Sequence, residues 1–256
     1  MALPFQIPKS LAPAFTLSHC TAADTDAIIE VYYEAFLIDP RNTFWWSPDK
    51  NAMRKWMDRR IRRKMDDPNV RHFKVTDVQS GDLVAFARWD IPAGHEAAFG
   101  EWIGNKAPVD VSQTVKAGEG EARYLPLTSA PAEAIAPPTA DYPEGAKPEL
   151  CKMFFDALKD MSEKQNADTM LGLSLLCTSP KYFRRGAGKA LMLPMLALAD
   201  ARGLKTYLEA TPAGKPIYEK LGFREVDELT FDLNKLMGSP DGIYKISIMV
   251  REPKSI

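Results

Sequence analysis

The sequence predicts an α+β fold with a mixed sheet. Three observations carry this reading. Apolar segments alternate with helical ones in the order β α α β β, then an irregular insertion, then α β α β α β β. A hairpin pattern stands before the insertion and a second strand pair closes the chain. A continuously apolar run at 169–178 ends in a basic, glycine-containing turn that opens a helix.

The elements follow in order. Residues 1–14 hold Pro4, Pro8 and Pro13 and read as a flexible N-terminal arm, with one domain expected over 15–256. Residues 14–19 suit a first strand. Residues 24–35 suit a helix, with Thr21 or Asp24 as N-cap. The stretch 36–46 is rich in aromatics and closes on Phe44-Trp45-Trp46. Core packing and contact with a substrate both account for it. Residues 48–65 form an amphipathic helix, since Met53, Trp56, Met57, Ile61 and Met65 recur at three- and four-residue spacings. Its other faces are basic, either as a solvated surface or as a rim for an anionic ligand or partner. Residues 71–78 and 83–91 make a hairpin around Gln79-Ser80-Gly81-Asp82. Residues 92–148 hold eight of the chain's 20 prolines and sustain no period. They read as an irregular insertion, a lid or a disordered loop. Helix 149–164, strand 169–178, helix 186–202 closed by Gly203, strand 205–210, helix 212–221 and strands 223–233 and 243–251 complete the chain.

Composition narrows the function. The chain has 256 residues with 33 basic and 34 acidic side chains. That balance argues against chain-wide nucleic-acid binding. The longest apolar run, 190–199, is ten residues long and contains Pro194, whereas a membrane span needs roughly 20 apolar residues. The N-terminus has no secretory pattern. Cys20, Cys151 and Cys177 are odd in number and widely spaced, which fits a reducing, cytoplasmic setting. With only His19, His72 and His95, no metal-ligand spacing exists and no metal is expected.

The chemistry concentrates in Leu171–Leu191, LGLSLLCTSPKYFRRGAGKAL. Gly186 and Gly188 permit close backbone approach, the helix start offers unpaired N–H groups, and Arg184, Arg185 and Lys189 add positive charge. A phosphate or pyrophosphate is the natural guest. A P-loop fails here, because Phe183 and Ala190 stand where it needs a glycine and a hydroxyl. A dinucleotide fingerprint fails at Leu191. The run 183–188, Phe-Arg-Arg-Gly-Ala-Gly, resembles instead the acetyl-CoA loop of the GNAT acetyltransferase superfamily, Gln/Arg-x-x-Gly-x-Gly/Ala. It matches at both glycines and departs at Phe183. The run 217–223, Ile-Tyr-Glu-Lys-Leu-Gly-Phe, resembles the family's later Tyr-x-Lys-x-Gly-Phe signature. The helix and strand between the two motifs also match, so the resemblance covers about residues 170–235. The long insertion and the run 208–218 resemble fungal members.

The resemblance implies a twisted, mostly antiparallel sheet with a splayed parallel strand pair and helices on both faces. It implies acetyl-CoA as cosubstrate. Leu176, Cys177 and Thr178 would line the acyl arm, with an amide near Cys177 or Thr178 polarising the thioester carbonyl. Arg184, Arg185, Gly186, Ala187, Gly188 and Lys189 would hold the pyrophosphate. Thr211 stands where the family often has a cofactor-contacting Asn. Tyr218 matches the family's general acid, or else packs on the cofactor arm. Glu209 is the nameable base for the acceptor amine, or else a salt-bridged carboxylate; Asp39, Asp90 and Glu101 are further carboxylates that the sequence does not rank. Cys177 reads as an apolar filler rather than an acyl carrier. The implied activity is transfer of acetyl to a small-molecule primary amine by direct attack in a ternary complex, in a monomer or homodimer. Protein or peptide N-acetylation, with the basic helix docking a partner, is the second reading. A CoA-binding sensor without transfer is the third.

Overall fold

The structure is a computed structural model and describes residues 3–8, 11, 13–102 and 142–255. Most of the expected insertion therefore lies outside the described residues. Seven strands form one sheet: β1 (Phe15–His19), β2 (Val70–Asp77), β3 (Leu83–Asp90), β4 (Leu171–Thr178), β5 (Thr206–Ala210), β6 (Arg224–Asp232) and β7 (Ile243–Arg251). Their spatial order is β1-β2-β3-β4-β5-β7-β6. Every neighbouring pair is antiparallel except β4–β5, which is parallel. This is the expected mostly antiparallel sheet.

Helices cover both faces because both faces are apolar. On one face α4 (Ala187–Asp200) lays Leu191, Met192, Met195 and Leu196 against Phe73, Ala87, Trp89, Leu171 and Leu173. On the other, α1 (Thr25–Phe36), α2 (Lys50–Met65) and α3 (Pro148–Lys164) bury Ile28, Met53, Trp56, Met57, Ile61 and Phe154 over Phe86, Cys177, Ile246 and Ile248. Asp49 caps α2 by accepting from the Asn51 and Ala52 amides at 2.8 and 3.4 Å. The Phe44-Trp45-Trp46 run belongs to this second core. Trp45 stacks on Phe154 with ring centroids 5.1 Å apart, so packing accounts for all three rings.

Two features of β4 shape the site. The β3–β4 register jumps from Arg88↔Leu175 to Trp89↔Leu173, which leaves Ser174 as a bulge. The bulge moves the inward-pointing residues from one face to the other: Leu171 and Leu173 pack under α4, Leu175 and Cys177 under the opposite helices. That switch explains why 169–178 reads as uninterrupted apolar sequence. Secondly, β4 pairs with β5 only from Leu171↔Thr206 to Leu173↔Leu208, although β4 continues to Thr178. The parallel pair splays from there on.

Three differences from the sequence reading stand out. The described part of the N-terminal arm is docked: Phe5 lies 5.1 Å from Phe73 by ring centroids, and Leu11 is buried. Apolar side chains between the prolines pack against the core beneath the sheet. The end of the predicted 223–233 strand is a separate short helix, α6 (Leu233–Met237), capped by Asp232 and closed by Gly238 in the left-handed region. Phe99 and Trp102, at the root of the insertion, pack onto the fold. Phe99 is buried, and the Trp102 indole donates to the Met65 carbonyl at 3.0 Å.

The C-terminal strand is tied to α4 by a buried ion pair. Arg251 meets Asp200 through two bonds of 2.7 Å, with side chains only 3% and 15% exposed. Burial works against ionisation of Asp200, but Arg251 and the Lys254 amide outweigh it and hold the carboxyl below the usual aspartate range. Asp200→Asn should therefore cost about 3 kcal/mol at neutral pH, because it strands a buried guanidinium. The pair's stabilisation is full above the ordinary aspartate range and is lost as pH falls through the lowered value. Chemical denaturation at pH 7 and at pH 3 checks both statements; a variant as stable as the parent at pH 7 would contradict them.

Candidate active site

The site begins where β4 and β5 part. The Ser179 amide donates to the Val84 carbonyl on β3 at 2.8 Å. Backbone direction alternates along a strand, so Cys177 also turns its amide toward β3, opposite Phe86. Leu176 and Thr178 turn theirs the other way, into the gap toward β5. The sequence reading placed a carbonyl-polarising amide near Cys177 or Thr178; the geometry leaves Thr178 and removes Cys177. Burial pushes the Cys177 thiol far up, so it stays a thiol and packs as an apolar filler.

The chain then makes the basic turn. Arg184 (φ 63°) and Gly186 (φ 86°) both take the left-handed conformation. Left-handed residues within a tight turn gather successive N–H groups into an anion-binding concavity. Gly186 carries that strain freely, whereas Arg184 carries it as a non-glycine residue. Helix α4 starts immediately afterwards, and no side chain caps it. The amides of Ala187, Gly188 and Lys189 are thus available at the positive end of a 14-residue helix. Arg184, Arg185 and Lys189 are exposed around this start. Arg185 also lies over the Tyr182 ring at 5.2 Å, and Tyr182 donates to Asp82 at 3.1 Å. Gly188 is less constrained than the sequence suggested. A Cβ there would meet Thr178 Oγ1 at 3.7 Å and Leu176 Cδ2 at 3.8 Å, both ordinary contacts.

Two titratable groups with raised values follow β4 in the chain, on β5 and on the helix after it. Glu209 lies on β5, and the Tyr207 phenol donates to its carboxylate at 3.0 Å. Burial pushes the Glu209 carboxyl up to about 7; the Tyr207 bond and Arg88 pull it down, and Asp90 adds to the rise. It is therefore no surface carboxylate, and among the described residues it has no salt-bridge partner. Tyr218, on α5 (Lys215–Lys220), is 9% exposed. Burial pushes its phenol well above the ordinary value, with Cys177 adding to the rise, so it holds its proton at neutral pH. Gly214 makes room for it, since a Cβ there would fall 2.9 Å from Tyr218 Cε2.

Other expected residues are engaged elsewhere. Thr211 Oγ1 accepts from the Gly214 amide at 3.3 Å, within the turn that precedes α5. The hydroxyl keeps its own O–H donor for the cofactor contact expected of it. Asp39 is bound by Arg41 at 2.9 Å. Asp90 pairs with Lys64 at 3.3 Å. Glu101 lines a separate cleft with His72 and Trp102. Residues that the sequence reading missed are Arg88, Ser174 and Tyr207. Arg88 Nε donates to Ser174 Oγ at 2.8 Å. A charge at an inward position of an alternating strand was the available signal for Arg88.

The residues present fit acetyl-CoA. An uncapped helix start, two left-handed positions and three exposed cations suit a pyrophosphate, and unpaired strand amides suit an amide-bearing arm. Comparison with known proteins agrees. Residues 160–235 match the family model for the acetyltransferase (GNAT) domain. No curated protein matches the chain. Among solved structures, the chain is similar to the histone acetyltransferase HPA2 and related acetyltransferase from Corynebacterium glutamicum. That match has a TM-score of 0.51 at 20% identity, over 95% of this chain and 98% of that one. It is also similar to mosquito arylalkylamine N-acetyltransferase like 5b, with a TM-score of 0.51 at 12% identity, over 93% of this chain and 99% of that one. Residues 160–235 thus match the GNAT acetyltransferase domain, and the chain has the fold of these solved neighbours.

Proposed function

We propose that the protein transfers acetyl from acetyl-CoA to the primary amine of a small molecule, by direct attack in a ternary complex. The observation that carries this reading is the β4–β5 gap, with an uncapped basic helix start following β4 and Glu209 on β5 just past the last paired residue.

Arg184 to Lys189 would hold the pyrophosphate. Bound acetyl-CoA supplies a thioester whose carbonyl carbon accepts the amine. Thr178 offers its N–H in the gap, where a donor stabilises charge developing on the carbonyl oxygen. Glu209, balanced near neutrality, takes a proton from an ammonium group that is mostly charged at pH 7. Tyr218, held neutral, has a proton to give to a leaving thiolate. The buried Cys177 thiol takes no part.

One structural neighbour is named for histones and the other for arylalkylamines. Likeness at this identity speaks to fold, so it does not choose between acceptors. Small molecules are favoured because the cations of α2 are largely committed within the chain: Arg54 and Lys50 to Glu30, Arg62 to Asp58, Lys64 to Asp67 and Asp90. Free, buried cysteines fit a reducing, cytoplasmic setting.

Two outcomes test the assignment of roles, read by thiol release with a panel of amines. Tyr218→Phe should lower kcat about 100-fold with little change in KM for acetyl-CoA; an unchanged kcat removes Tyr218 as the acid. Activity should rise with pH through about 7 as Glu209 loses its proton, and Glu209→Gln should lower kcat about 100-fold and abolish that limb. The same substitution should stabilise the fold at pH 8. A carboxyl whose folded value is raised above 4.5 destabilises the native state increasingly as pH rises from 4.5 to about 7. The Tm difference between Glu209→Gln and the parent should be positive at pH 8 and vanish near pH 4. An equal or lower Tm at pH 8 contradicts the burial argument.

A further inference from the structure

We propose that Arg88 is the specificity residue of the acceptor pocket, and that the acceptor carries a carboxylate which the Arg88 guanidinium holds while the amine meets Glu209. The acceptor class is an amino acid or a related amine–carboxylate zwitterion. The proposal rests on the acetyl-transfer reading of the same site and deepens it.

Arg88 sits in the middle of β3, half-buried, two residues from Phe86 and on the same sheet face, beneath α1 and α2. It has His72 opposite on β2 and Leu175 opposite on β4. The bulge residue Ser174 fixes it twice. Arg88 Nε donates to Ser174 Oγ at 2.8 Å, and Ser174 Oγ donates back to the Arg88 carbonyl at 3.3 Å. This anchors the base of the guanidinium and leaves the fork. Among the described residues, Nη1 and Nη2 make no hydrogen bond and no ion pair.

An arginine with four of its donors open, in a half-buried position, is an incomplete arrangement. The nearby groups do not complete it. Asp90, two residues along the same face, is taken by Lys64 at 3.3 Å. Glu209 is engaged by Tyr207 at 3.0 Å and feels the charge of Arg88 without pairing with it. His72 is 9% exposed, its Nε2 has no partner, and burial beside Arg88 and Lys64 holds it neutral. The face therefore presents one uncommitted fork on β3 and one carboxylate on β5, with only β4 between them. Paired strands lie about 4.8 Å apart, and β5 has already left β4 at Glu209, so the two backbones are more than about 10 Å apart, a span for a long arginine side chain and a bridging ligand. The guanidinium fork matches a carboxylate in two parallel bonds, and the Glu209 carboxylate matches an ammonium group.

The test compares each proteinogenic amino acid with its methyl ester and its decarboxylated amine, by thiol release with acetyl-CoA. The parent protein should prefer the best amino acid over its ester at least about tenfold in kcat/KM. Arg88→Gln should raise KM for that amino acid about 100-fold and leave KM for the ester within about twofold, with Arg88→Lys intermediate because it keeps the charge without the fork. Esters or decarboxylated amines that match or beat the acids overturn the proposal and leave acetyl transfer standing. So does an equal KM change for acid and ester in Arg88→Gln. If no acceptor turns over, N-acetyl amino acids titrated calorimetrically into the CoA-saturated protein decide. Binding that Arg88→Gln and Arg88→Lys both weaken supports the role of Arg88, and no binding overturns it. Failure of CoA itself to bind overturns the transfer reading, and the proposal with it.

Discussion

The early end of the β4–β5 pairing is the constraint from which the site derives. Strand amides in a sheet interior need partners. Here the parallel pair closes after Leu173 and Leu208, while β4 runs on to Thr178. The amides of Leu176 and Thr178 thus face a gap and not a strand. A sheet with its centre open would be poorly held unless the flanks were strong. The flanks supply that strength: β3 pairs with β4 along its length, β7 pairs with β5 throughout, and Arg251 locks β7 to α4 through Asp200. The opening is tolerated because it is bordered by regular structure on every side.

The same geometry sorts the charges. At the mouth, the left-handed Arg184 and Gly186 and the uncapped start of α4 make an exposed positive site. Deeper in, burial dominates. It pushes the Glu209 carboxyl toward neutrality and keeps the Tyr218 phenol protonated. One physical cause, desolvation, raises both the Glu209 carboxyl and the Tyr218 phenol. Ser174 links the two halves of this arrangement. Its bulge moves Cys177 to the far face and at the same time anchors Arg88 at the Nε end.

Much of this was legible in the sequence, and the reasons are physical. The strand at 169–178 shows itself by unbroken apolarity, and the helix after it by glycines in a basic turn. Element order, the hairpin at Gly81 and the amphipathic α2 are set by periodicity and turn chemistry. What stayed hidden depends on tertiary context. The bulge at Ser174 is invisible because apolar residues on both sides look alike. The docking of Phe5 and Leu11 depends on core side chains of the sheet, such as Phe73. The helix α6 is only five residues long and comes after a strand without a break. The bond from the Gly214 amide to Thr211 also depends on how the turn before α5 folds. Arg88 shows in the sequence only as a charge at an inward position; its open fork is seen once its neighbours prove to be committed elsewhere. Residues 103–141, the bulk of the expected insertion, lie outside the described residues.

The central claim is that the open strand edge and the basic helix start together bind a CoA thioester. Calorimetric titration of the protein with acetyl-CoA, with CoA and ATP as comparators, tests it most directly. Saturable one-to-one binding of acetyl-CoA and CoA, with ATP much weaker, is the result expected, since ATP has phosphates for the cradle and no arm for the gap. Binding of ATP as tight as that of CoA, or no binding of acetyl-CoA at all, would contradict it.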